Sequence, residues 1–206
     1  MRNNAVIRHL KKGETLFEIG DEGDGCYRVD KGALKVSLKS QQAEERIVAV
    51  IGAGSIVGDL SMIDGKPRSA TVVALTPCDL TFFNRKTFEK FTERHPELYR
   101  DLVHMLADRL RDCDEDIAAV AFLPMKNRVA RALLELAQCL GGDAPRGKAL
   151  LPRGITQRDV AALAGVAREN ANRILHEWKQ NGIVTKRDEN YEIDKIKLTR
   201  ETDSVP

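Results

Sequence analysis

Thr156-Gln-Arg-Asp159-Val-Ala-Ala-Leu-Ala-Gly165-Val-Ala-Arg168-Glu169-Asn-Ala-Asn172-Arg173-Ile-Leu175 reads as two short helices joined by a turn. Thr156 supplies an N-cap, and Asp159 three residues later imitates a capping box. Val160 and Leu163 point inward, and Ala161 is small enough to admit a second helix. Gly165 can take the positive φ that a tight helix-to-helix turn requires. Beyond it, Ala171, Ile174, Leu175 and Trp178 form one apolar stripe. The opposite face carries Arg168, Glu169, Asn172, Arg173 and His176. This pattern predicts a helix-turn-helix whose second helix reads DNA.

Glu169 is the most telling residue on that face. A carboxylate repels phosphates, so a helix built only to adhere to DNA would not place one beside two arginines. It does suit the cytosine N4 amino group, while arginines bind guanine O6 and N7 in a bidentate fork. An i,i+4 pair with Arg173 and a favourable position in the first helical turn are compatible with that role.

The 206 residues leave room for one large domain or two modest ones. Overall net charge is only +2, but it is unevenly distributed. Residues 124–206 hold 15 basic and 11 acidic side chains, so the positive charge gathers where the helix-turn-helix lies. Cys26, Cys78, Cys113 and Cys139 are far apart, with no C-x-x-C and no His–Cys cluster. That spacing predicts reduced thiols in a cytoplasmic protein without a metal site or permanent cofactor. There is no signal peptide and no apolar run long enough to cross a membrane. Nucleophile–base pairings and Walker-type loops are missing too, so an enzyme is not expected.

Outward from the helix-turn-helix, the organisation is α+β. Residues 1–95 hold short β-type runs punctuated by glycine, such as Ala33–Leu38 and Arg46–Ile51, and predict an antiparallel β-roll. Phe88 and Phe91 mark a short helix after it. A long helix is predicted over 96–123, with Tyr99, Val103, Leu106, Leu110, Cys113, Ile117 and Val120 in an a/d seam flanked by charges. That seam predicts a homodimer, with one face of the helix on the roll and the other on a second copy. Pro124 ends the helix. Residues 124–206 then form a winged helix-turn-helix, in which a helix from Lys126 to about Leu140 precedes a surface loop at Gly141–Gly147. Gly182 caps the reading helix, and a hairpin turns at Asp188-Glu189. In that wing, Lys186 and Arg187 are placed to meet phosphates, as is Thr156 on the first helix.

Inside the roll, Gly58-Asp59-Leu60-Ser61 opens a short helical turn that aims backbone N–H groups at an anion. Pro67-Arg68-Ser69-Ala70 follows, with a guanidinium fork and a hydroxyl suited to phosphate oxygens. Asp59 is an acceptor suited to a ribose hydroxyl.

Roll, long seam helix, Phe122-Leu123-Pro124 hinge and winged helix-turn-helix together resemble the cyclic-AMP receptor protein / fumarate-nitrate regulator family of bacterial transcription factors. The Gly58-Asp59-Leu60 … Pro67-Arg68-Ser69-Ala70 cassette is similar to that family's phosphate-binding cassette. The resemblance implies that Arg68 and Ser69 bind a cyclic phosphate and Asp59 the ribose 2′-OH. Arg168, Glu169 and Arg173 match the receptor branch, which reads TGTGA-like half-sites. Three places depart from the family pattern: Asp59 stands for the usual Glu, Cys113-Asp114 for a Thr-Ser pair that touches adenine, and Ala167 for a Ser at the N-cap. The first strand also comes soon after Met1, where the family usually carries a leading helix.

The expectation is a homodimeric regulator of double-stranded DNA, switched by cyclic AMP or cyclic GMP and acting with RNA polymerase. Asp114 accepts but cannot donate, which suits the adenine amino group and equally the guanine N1–H and 2-amino edge. Two alternatives share the fold: a ligand-independent DNA-binding regulator, and a haem or iron–sulfur sensor. The dispersed His9, His95, His104 and His176 weigh against the second.

Overall fold

Glycine-separated apolar runs in the first 84 residues pair into two antiparallel sheets, as a computed structural model of the chain shows. The structure describes residues 6–140, 142–144, 147–152, 154–187 and 190–203. The expected turn at Asp188-Glu189 lies outside them, as does part of the Gly141–Gly147 loop. The strands are β1 (Val6–Leu10), β2 (Thr15–Phe17), β3 (Gly25–Lys31), β4 (Leu34–Lys39), β5 (Glu45–Ile51), β6 (Ile56–Val57), β7 (Thr71–Ala74) and β8 (Cys78–Asn84). The short helix α1 (Asp59–Asp64) lies between β6 and β7. One sheet runs β1-β8-β3-β6 and the other β2-β7-β4-β5. Between them Leu10, Leu16, Val29, Leu34, Val57, Val72 and Leu80 form the core of the roll. Strands β1 and β6 go beyond the sequence reading; β6 has only two residues and owes its pairing to β3.

Helix α2 (Arg85–Thr92) starts where the Asn84 side chain accepts the Thr87 N–H at 2.7 Å. Helix α3 (Glu97–Phe122) is 26 residues, about 39 Å long. It stops at Leu123, which is extended (φ −86°, ψ 140°) as the residue before a proline must be. Tyr99, Val103, Leu110, Ile117, Val120 and Phe122 are all exposed, and Ala119 is the one buried residue among the described helix positions.

The C-terminal part comprises α4 (Met125–Leu140), β9 (Gly142–Ala144), β10 (Lys148–Leu151), α5 (Gln157–Ala164), α6 (Arg168–Gln180), β11 (Val184–Arg187), β12 (Asn190–Asp194) and α7 (Lys195–Asp203). Val129, Leu133 and Leu136 of α4 pack with Val160, Leu163, Ile174, Leu175 and Trp178, as their helical spacing requires. The hairpin β11–β12 belongs to a four-stranded sheet, β11-β12-β10-β9. This corrects the reading of Gly141–Gly147 as a loop, because Gly142–Ala144 is a strand. Gly-Asp-Ala has little β-propensity of its own and takes its conformation from β10. Helix α7 is likewise an addition. It buries Leu198 and is anchored by Asn127, whose Nδ2 donates to the Glu201 carbonyl at 2.7 Å.

Ala33, Ile47, Val50 and Leu75 of the roll share one core with α4, α5 and α6. Glu135 of α4 lies at this junction, beside Arg46, Asp116, Arg128 and Arg131. Burial first, then the Asp116 carboxylate, pushes its carboxyl up to about 7, against the Val50 backbone, Arg131 and Arg46. A raised acid holds its proton in the folded state after the unfolded chain has released it. Its contribution is therefore unfavourable above pH 7 and vanishes below about pH 4.5. Glu135→Gln is expected to raise the unfolding midpoint at pH 8, by up to about 3 kcal/mol of stability. The gain should shrink toward zero at pH 4.5, which calorimetry across that range measures.

Candidate functional site

Gly58 sits at the N-cap of α1 with φ 80° and ψ 12°, in the left-handed region that favours glycine. It must also be bare, since a Cβ there would lie 2.5 Å from Nη1 of Arg68. That Nη1 donates to the Gly58 carbonyl at 2.7 Å. The Arg68 guanidinium also lies 4.3 Å from the centre of the Phe17 ring. Its backbone is tied on both sides, donating to the Asp21 carbonyl and accepting from Gly20 N–H. The side chain is thus held rigidly, is only 5% exposed, and keeps its Nε buried without a partner. Burial pulls the guanidinium below its ordinary value, while Tyr27, Asp24, Cys26 and Asp21 act the other way. Close by, burial and the Asp59 charge push the Cys26 thiol up to about 11.

Asp59 is 2% exposed, so its carboxylate needs a partner there. Nη1 of Arg109, on α3, donates to both of its carboxylate oxygens at 2.9 Å. Nη2 of the same arginine reaches the Ile56 carbonyl at 2.6 Å. Arg109 was not among the residues the sequence singled out. It reads as one more charge beside the seam, although it lies one helical turn before Cys113 and on the same face.

The structure brings Gly58, Asp59, Ser61 and Arg68 together around the start of α1. A Cβ on Gly23 would meet Ser61 at 2.4 Å and the Arg68 guanidinium at 3.0 Å, so that loop is also in close contact. Leu60 and Ser69 are exposed rather than part of this packed group. Cys113 and Asp114 are exposed on α3, with no hydrogen bond or ion pair to other described residues.

At the C-terminal end, Thr156 and Asp159 form a full capping box. Thr156 Oγ1 accepts the Asp159 N–H at 3.1 Å, and Asp159 accepts the Thr156 N–H at 3.0 Å. Burial works against the Asp159 charge, but Thr156 and the Lys35 ammonium outweigh it and hold the carboxyl below its usual range. Gly165 closes α5 at φ 61°. Helix α6 starts at Ala167, which gives no side-chain cap, so its first-turn N–H groups keep their donor capacity. Arg168, Glu169 and Arg173 are exposed and unpaired among the described residues, so the possible Glu169–Arg173 pair is not formed. Asn172 is half-buried with an unpartnered Oδ1, less open than the other three. Lys186 and Arg187 lie in β11 opposite Tyr191 and Asn190. Among the described residues no helix is long and apolar enough to cross a membrane.

Comparison with known proteins agrees with this architecture. Residues 7–95 match the cyclic nucleotide-binding domain, and residues 127–201 match the Crp-like helix-turn-helix domain. The cyclic AMP receptor protein of Thermus thermophilus is 32% identical over 177 residues, spanning 86% of this chain and 78% of the relative. A CRP-like cAMP-activated global transcriptional regulator of Mycobacterium tuberculosis is 30% identical over 172 residues, spanning 83% and 76%. Among solved structures, FixK2 from Bradyrhizobium japonicum shares the fold with a TM-score of 0.83 at 20% identity, covering 98% of this chain and 99% of that one. With a cyclic nucleotide-binding fold joined to a Crp-like helix-turn-helix, the chain belongs to the cyclic-AMP receptor protein / fumarate-nitrate regulator family of transcription regulators.

Proposed function

We propose that the protein is a homodimeric, cytoplasmic transcription regulator, not an enzyme, that binds TGTGA-like palindromes when a cyclic nucleotide occupies its roll. Cyclic AMP is the first candidate, and cyclic GMP competes with it. In this reading residues 1–95 sense the ligand, 96–123 dimerise, and 124–206 bind DNA and engage RNA polymerase. The observation that carries it is the immobilised Arg68, buried with a free Nε beside the uncapped start of α1. Such a guanidinium, with convergent backbone N–H groups, suits a singly charged cyclic phosphate. Asp59, held by Arg109, presents an acceptor for the ribose. The base then extends toward Cys113 and Asp114 on the seam, where a second copy adds its own α3. Ligand contact with both helices favours one dimer arrangement, which reaches α4 through the Leu123-Pro124 hinge.

On the DNA side, two guanidinium forks and one carboxylate stand free on α6 for base edges. The wing residues Lys186 and Arg187 and the α5 N-terminus at Thr156 serve the phosphates.

Arg68→Ala is expected to abolish binding of both cyclic nucleotides in calorimetry, whereas Asp114→Ala should change the ratio of their affinities. Unaltered affinities in the Asp114 variant would remove it from the pocket. Intact binding without Arg68 would mean that the cassette is scaffold only.

Arg173→Ala should cost roughly 1–3 kcal/mol on the cognate palindrome and relax preference there. Lys186→Ala should weaken all sequences alike and flatten the salt dependence. Equal losses on cognate and scrambled duplexes for Arg173→Ala would assign it to phosphate contact.

Leu110→Glu places a charge in the exposed α3 stripe and should give monomers with poor DNA affinity, since two reading helices one turn apart need the two-fold. Light scattering showing an undiminished dimer would overturn the seam.

A further inference from the structure

Two cations of the roll reach across to opposite ends of α5, the first helix of the helix-turn-helix. Lys35, on β4, donates to Asp159 and to Glu45 on β5, each at 3.1 Å. The Lys35 and Asp159 side chains are only 13% and 12% exposed, so this is a largely desolvated cluster rather than a surface pair. Arg46, next to Glu45, donates to the Ala162 carbonyl in the last turn of α5 at 3.3 Å. That end of a helix carries partial negative charge, so the guanidinium is well placed. A Cβ on Gly165 would lie 2.2 Å from Nη1 of Arg46, so the turn glycine is bare partly to admit this arginine. Below the charges, Ile47 and Val50 of β5 share a core with α4 and α5. Strand β5 is the free edge of its sheet, and α5 packs against it. The docked position leaves Arg168, Glu169 and Arg173 exposed.

We infer that Lys35, Asp159 and Arg46 form a latch through which the roll holds the helix-turn-helix in the orientation used for reading DNA. Asp159 serves twice: its carboxylate closes the α5 capping box and binds the Lys35 ammonium. The reading helix is thereby coupled to the roll by a route separate from the α3 hinge. Lys35 has no contact with Arg68 or Asp59, so the latch sets DNA affinity without touching the ligand pocket.

The test compares wild type with Lys35→Met, Asp159→Asn and the double variant. Methionine keeps the stem, and asparagine keeps an acceptor for the Thr156 N–H. In hydrogen exchange on the intact protein, the β5 and Ala161–Ala164 amides of each single variant should exchange about fivefold faster or more, as expected for an ordinary coupling energy. Amides of β3 and β8 should not change, and the double variant should behave like either single one. Affinity for a TGTGA palindrome should fall by a similar factor, while cyclic AMP affinity stays unchanged. Unchanged exchange, tighter DNA binding, or a full further loss from Lys35→Met in the Asp159→Asn background would overturn the latch; the last would make Lys35 a phosphate contact. The exchange readout does not depend on the operator sequence, so a wrong operator would leave it standing.

Discussion

The contact on which the assembly turns is the pair between Asp59 and Arg109. A carboxylate that is 2% exposed loses most of its hydration, and an unpaired charge in that position would cost several kcal/mol. Among the described residues its side-chain partner comes from α3, fifty positions on in the chain. The cassette therefore cannot be assembled without fixing the long helix, and the long helix cannot rotate freely without uncovering the cassette acid. Arg109 also binds the Ile56 carbonyl, so β6, α1 and α3 meet on one guanidinium. The cassette and the apolar seam of α3 become parts of one mechanical unit for electrostatic reasons.

Glycine sets the second constraint. Gly58 and Gly165 both combine a left-handed φ with an arginine packed where a Cβ would stand. At Gly58 the arginine is Arg68 of the cassette, and at Gly165 it is Arg46 of the junction. Any larger residue would meet backbone strain and displace a guanidinium at the same position. Each glycine therefore links a local turn to a long-range charge.

Features that repeat along the chain were legible in the sequence. The i, i+3, i+4, i+7 stripe of α6, the capping residues of α5, the seven-residue seam and the glycine-spaced strands are local signals, and the structure contains each element. Leu123 and Pro124 announced the break between α3 and α4 for a steric reason that acts between neighbours. Arg109, Lys35 and Arg46 were not legible, since each acts through a partner between ten and more than a hundred positions away. Arg109 reads only as a charge beside the seam, and Lys35 and Arg46 only as positions in glycine-spaced strands. The strand at Gly142–Ala144 was hidden for a related reason: its conformation comes from pairing with β10, not from its own residues. Asn172 carries a polar amide on the expected face, yet packing leaves it half-buried, which spacing alone does not reveal.

Asp59 is one methylene shorter than the glutamate usual in the family at this cassette position, and the geometry shows how the chain accommodates it. Both of its oxygens accept from a single nitrogen of Arg109, so the arginine approaches along the carboxylate axis. Two ionised oxygens offer about four acceptor positions, and this grip uses two. The remainder is enough for the single donor that the proposed ribose contact brings. Arg109 thus reaches from α3 to the start of α1, where Arg68 keeps its Nε unpaired. A ligand hydroxyl on Asp59 would then bear directly on the carboxylate that fixes the long helix. The charge that binds the sugar in this reading is the same charge that positions the dimer seam, so no separate relay is needed between them.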